Sequence, residues 1–205
     1  WNISDVPNWL NITPVTGSMN ETLSVTANSS NTGTTPRIAN VTISGSGISD
    51  KTIIVTQDYF HTSLGFKEVF ASTSTSPNRR AMPVTFNESG EIQSISIYHN
   101  GGSGNMLLGV YSDQSGKPSS LLGVTGLTEV NPAAGWQTVY LSSPAIVSPG
   151  QTVWLAWVFE NSVEVRYTAG TPGRAMSSQT WSSGMPDNYG ASGVSNYKFS
   201  VYCNY

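Results

Sequence analysis

Residues 151–160, QTVWLAWVFE, decide the fold. In a strand, alternation with a period of two puts Val153, Leu155, Trp157 and Phe159 on one face and Trp154, Ala156 and Val158 on the other. The first set is the more continuous and is expected to line a core. Trp154 then faces the outer side of its sheet or a second layer. The neighbouring stretches pass the same test. Val139 and Leu141 point inward and Trp136 and Tyr140 outward; Ile95 and Ile97 point inward and Tyr98 outward, beside Ser94 and Ser96. Near the C-terminus Tyr197, Phe199, Val201 and Cys203 share the inner face, with Tyr202 outside. Val163, Val165 and Tyr167 go inward and leave Glu164 and Arg166 outside.

Such runs recur from LSVTAN (23–28) to YKFSVYCNY (197–205), separated by turn residues at the spacing of β-sandwiches. No segment longer than one turn carries a helical repeat. The chain is therefore all-β. Composition shifts between Gln57 and Thr62: before that point Thr, Asn and Ser dominate, and after it aromatics become frequent. Two domains are expected, 1–58 and 62–205. The first is a small immunoglobulin-like sandwich, the second a larger antiparallel, jelly-roll-like one, and the junction is short. The strand-like opening WNISDV reads as the start of a piece cut from a longer, exported protein.

Only 10% of the 205 residues are charged, against about a quarter in ordinary soluble domains. Ser, Thr, Asn and Gly take their place. A net charge of −3 and the lack of any basic run argue against nucleic acid, which needs cations to displace counterions from phosphates. No stretch approaches the ~20 apolar residues of a membrane span, and no signal-peptide pattern opens the chain. Cys203 stands alone, so no intrachain disulfide forms, and it reads as a small buried hydrophobe. Glycosylation sequons at Asn2, Asn11, Asn20, Asn28, Asn40 and Asn87 are the chance yield of a chain rich in Asn, Ser and Thr.

Nothing in the pattern points to catalysis. His61 and His99 lie far from metal-ligand spacing and suit surface or capping roles. Glu160 and Glu164 flank one turn and could meet as an acid pair, but a hairpin with solvated acids is the commoner reading. No nucleophile elbow, zinc-protease or phosphate-loop motif occurs. No cofactor is expected. A structural calcium held by carbonyls around Asp113 or Asp187 is the one ion the turns could take.

Residues 1–57 resemble a BACON domain, an immunoglobulin-like module of bacterial surface and secreted enzymes. The matching features are Trp9-Leu10, Thr13-Pro14, Gly17, LSVTAN, Arg37 ahead of ANVTISG, and the closing Thr56-Gln57. That resemblance implies a non-catalytic spacer. Residues 66–205 resemble non-catalytic sandwich domains appended to bacterial secreted proteins, through GVYSDQSGKPSSLLG (109–123), AGWQTVYL (134–141), SPGQTVWLAW (148–157) and the closing YKFSVYCNY. The pairing implies the binding part of a secreted or cell-surface polysaccharide-degrading enzyme, monomeric and covalently joined to a catalytic domain.

The outward aromatics then suggest a sugar platform. Pyranose C–H faces stack on indole and phenol rings, while polar side chains take the hydroxyls. The segment WSSGMPDNYG (181–190) supplies two more rings with Asp187 and Asn188 between them. Expected ligand contacts are Trp181, Tyr189, Trp154, Trp136 and Tyr98, with Asp187, Asn188, Arg174 and Glu164 as polar partners. The expected ligand is a neutral plant glycan, a β-glucan or xylan, because no basic cluster is present to attract uronates. The competing arrangement is a stalk in which residues 168–196 form a loop over the outer face and Trp181 plugs it.

Overall fold

Short β-branched and aromatic runs bounded by Gly, Asn and Ser pair as antiparallel strands, because each buries one face and leaves the other to hydroxyls. The computed structural model describes residues 1–29, 31, 35–58 and 62–205, so His61 lies outside the described residues. Two compact units appear, Trp1–His61 and Thr62–Tyr205.

The first unit holds β1 (Asn2–Ser4), β2 (Leu10–Thr13), β3 (Ser24–Ala27), β4 (Arg37–Gly45) and β5 (Ile48–Gln57), paired as β1-β4-β5 and β2-β3. Leu10, Ile12, Ala39 and Val41 form its small core, with Trp9, Leu23, Ile53 and Val55 against it. Three of its signature positions meet in space. The Arg37 guanidinium lies 4.5 Å from the Trp9 ring centroid, and its Nε donates to Gln57 Oε1 at 2.7 Å. Gly17 is required by close approach: a Cβ there would sit 2.4 Å from the Trp1 ring.

The second unit carries β6 (Ser63–Gly65), β7 (Ser72–Ser74), β8 (Arg80–Thr85), β9 (Gly90–His99), β10 (Asn105–Gln114) and β11 (Lys117–Val124). There follow β12 (Thr128–Glu129), β13 (Gly135–Val147), β14 (Thr152–Phe159), β15 (Val165–Ser177), β16 (Ser192–Phe199) and β17 (Val201–Asn204). The hydrogen-bonded path runs β11-β10-β14-β8-β15-β9-β17-β6, with β12 on β10, β13 on β9, and β7 and β16 on β15. The long β15 joins the two layers: its Ala175 and Met176 pair with β8, while its Val165 pairs with His99 of β9.

Between the layers lies the main core. It includes Met82, Ile95, Ile97, Leu108, Val153, Leu155, Trp157, Phe159, Val201 and Cys203, with Trp157 5.2 Å from Phe199. The inward face expected of β14 is the one observed. Its other face is buried as well, because Trp154 and Ala156 join Ala81, Tyr111, Ala175 and Tyr189 in a second cluster. The expected loop 168–196 is largely sheet: β15 and β16 occupy most of it and pair with each other. Their polar, edge-facing residues lack the apolar alternation that marks a strand in sequence.

Candidate functional site

β13, β9 and β17 run side by side, and their register stacks the outward side chains in rows. Trp136 is opposite Tyr98, Thr138 opposite Ser96, and Tyr140 opposite Ser94. On the far side of β9, Tyr202 is opposite Ser96 and Asn204 opposite Ser94. Ile95 and Ile97 are wholly buried beneath them, so the even-numbered residues must point away from the core. Trp136 lies 5.6 Å from Tyr98 with the planes at 86°, and 4.9 Å from Tyr202 at 62°. All three rings are half-buried, and Tyr140 beyond them is 60% exposed.

Hydroxyls and amides frame this aromatic row. The Ser96 and Thr138 hydroxyls share a 2.7 Å hydrogen bond. Asn204 Nδ2 donates to Ser94 Oγ, and Ser63 Oγ donates to Asn204 Oδ1, both at 2.9 Å. Past Tyr98, Asn100 Nδ2 donates to Glu164 Oε2 at 2.7 Å, and Arg166 Nε donates to Asn100 Oδ1 at 2.9 Å. An acid and a base thus stand at the end of the row joined through one amide, while the row itself is uncharged. Of these groups Thr138 and Asn204 reach the surface beside the rings, whereas Ser94 and Ser96 are buried beneath them.

The expected platform is divided by the structure. Tyr98 and Trp136 come together as described. Trp154 and Tyr189 do not belong to any open surface, which corrects their assignment as ligand contacts. Trp154 is 2% exposed and Tyr189 0%. The Trp154 indole N–H donates to Asp113 Oδ1 at 2.7 Å, and Gly116 N donates to the other oxygen of that carboxylate. Residues 185–189 fold over the outer face here, and Tyr189, not Trp181, is the plug. It meets Tyr111 edge-on at 5.0 Å. Burial pushes the Tyr111 phenol up to about 12 and raises that of Tyr189, so both remain neutral donors. They donate to Pro186 O and Arg79 O.

Trp181 is half-buried in a one-turn 3-10 helix, with no ring partner among the described residues. Asp187 and Asn188 are exposed. Asn188 borders an open cleft of about 520 Å3 with Gln114, Lys117, Ser119 and Ser192. Glu164 is exposed beside Asn100, and Glu160 accepts instead from Asn105, so each acid has its own asparagine. His99, expected at the surface or in a capping role, is fully buried and does the second: Gly101 N donates to its Nδ1, and its Nε2 faces Gln137 Oε1 at 2.9 Å. Burial holds it below its ordinary value.

Arg174 lies elsewhere, in a cavity of about 210 Å3 lined with Ser74, Tyr167, Tyr197 and Phe199. Arg80 packs against the same residues. This gathering corrects the expectation of no basic cluster, because residues 94 positions apart in sequence had no local signal. Tyr197, expected inside, is 40% exposed at the rim.

Compared with known families, residues 1–58 match the model of the BACON family, described as "Putative binding domain, N-terminal". No curated protein matches the chain.

Proposed function

We propose that this chain is a non-catalytic, secreted or cell-surface glycan-binding protein whose second unit holds polysaccharide on the row Tyr98–Trp136–Tyr202. The observation that carries the reading is that row: three touching rings on an uncharged sheet face, flanked by Thr138 and Asn204. Exposed aromatics are ordinarily scattered singly, and a cluster ringed with polar groups marks a binding surface. The match of the first unit to a binding-domain family agrees with this use.

If one ring–sugar contact removes on the order of 100 Å2 of apolar surface, about 25 cal/mol per Å2 gives about 2.5 kcal/mol. Association costs about 4 kcal/mol or more, so a single ring is insufficient and two or three give a weak, repeat-reading binder. A neutral β-glucan or xylan suits the uncharged row. In the full-length protein it would hold an attached glycoside hydrolase on its substrate.

Affinity gel electrophoresis tests this. Gels cast with β-glucan or xylan should retard the wild type and release Trp136→Ala and Tyr98→Ala. Wild-type migration unchanged on a broad polysaccharide panel overturns the reading and leaves an adhesive stalk.

A further inference from the structure

The small cavity at β7, β15 and β16 is built differently from the aromatic row. Tyr167 and Tyr197 meet edge-on at 5.4 Å, and Tyr167 stacks on Phe199 at 5.5 Å with the planes 29° apart. Arg174 lines the same cavity, its guanidinium carbon 5.9 Å from the Tyr197 centroid. Its guanidinium makes no hydrogen bond and no ion pair with any described residue, and its Nε is buried without a partner.

Arg80, on the neighbouring β8, is only 5% exposed. Arg80 lies 5.2 Å from the Phe199 ring and donates from Nη2 to Ser74 Oγ at 3.1 Å and Thr75 O at 3.3 Å. Its Nε, too, is buried and unpartnered. Burial and then the Arg174 charge lower the Arg80 guanidinium to about 10. No carboxylate among the described residues faces either one. A half-buried guanidinium lining the cavity, Arg174, and a buried one packed against two of its walls, Arg80, each with an unpartnered Nε and no counterion among the described residues, form an incomplete arrangement, because buried charges are ordinarily paired. The missing partner is an anion.

Its shape is constrained by the walls. A guanidinium fork takes the two oxygens of a carboxylate in parallel. The Tyr167, Tyr197 and Phe199 rings present apolar surface, and Ser74, whose hydroxyl accepts from Arg80, completes the wall. At about 210 Å3 the cavity is smaller than the ~300–1,000 Å3 of drug-sized sites, which limits the occupant to one ring. We propose that this cavity binds a carboxylate carried on a single sugar ring, a uronic acid residue, with Arg174 taking the carboxylate and Tyr197 stacking on the ring. The site is separate from the aromatic row and does not depend on it.

Isothermal titration of the full chain at fixed ionic strength tests it, with sodium glucuronate and galacturonate against glucose, galactose and sodium sulfate. At least one uronate should bind while the neutral sugars give no heat. Arg174→Gln and Tyr197→Ala should each weaken that binding by about tenfold or more, with the urea unfolding midpoint and far-UV circular dichroism close to wild type. Trp136→Ala should leave it intact, so failure of the aromatic row and failure of this cavity are read apart. Absence of heat with both uronates, or uronate affinity unchanged in Arg174→Gln, overturns the proposal. Sulfate binding as tight as either uronate also overturns it, because the cavity would then accept any small oxyanion.

Discussion

Replacing Arg79 with Met should detach the segment that seals the second face of β14. Arg79 is wholly buried. Its Nη1 donates to Gly184 O at 2.9 Å and its Nη2 to Tyr189 O at 2.6 Å, while its Cζ lies 4.7 Å from the Tyr189 ring centroid. Tyr189 returns the contact, its hydroxyl donating to Arg79 O at 3.1 Å. Two hydrogen bonds from a charged donor contribute about 1.5–3 kcal/mol each, and their loss orphans two carbonyls. Against this, Met removes a desolvated cation whose Nε has no partner, which offsets part of the loss. The net cost is about 2–4 kcal/mol, concentrated in residues 181–190. Urea titration followed by tryptophan fluorescence gives the magnitude. Hydrogen exchange gives the location, through the Leu121 N–Asp187 O and Tyr189 N–Ser119 O bonds that tie the segment down. Tyr189→Phe should cost at most about 1 kcal/mol, because Arg79 O keeps its bond from Ser177 N. Stability of Arg79→Met within about 0.5 kcal/mol of wild type, with exchange at 185–189 unchanged, refutes the guanidinium as the lock.

His99 makes the second unit pH-sensitive. Gly101 N occupies Nδ1, so the neutral ring carries its proton on Nε2 and donates to Gln137. Burial lowers its folded value below the 6.5 of the free group, so the unfolded chain takes the proton first and stability falls as pH drops below that point. Urea midpoints at pH 7.5 and 5.5 should differ more in the wild type than in His99→Gln; equal slopes contradict the assignment. Cys203 is buried, and burial pushes its thiol up to about 12. Ellman's reagent should therefore label it only after denaturation, and rapid native labelling would place it at the surface.

Much of the site's skeleton was legible. Period-two alternation put Val153, Leu155, Trp157 and Phe159 in the core, and Tyr98, Trp136 and Tyr140 on the far faces of their strands. Alternation tells which side of a sheet a ring is on, but not whether that side is wet. Trp154 and Tyr189 were misassigned for this reason: the cover over Trp154 comes from residues about 30 positions later, held there by Arg79. Tyr197 shows the same limit at the sandwich rim, where an inward direction ends in a cavity instead of a core. Arg80 and Arg174 meet only because β15 pairs with β8. No spacing rule in the sequence encodes that pairing.

The most direct test follows the indole N–H resonances while cello- or xylo-oligosaccharide is titrated into the labelled protein. Trp136 should shift progressively with ligand, while the buried Trp154 and Trp157 signals stay in place. A titration that moves no indole signal, or moves Trp181 and leaves Trp136 untouched, contradicts the account.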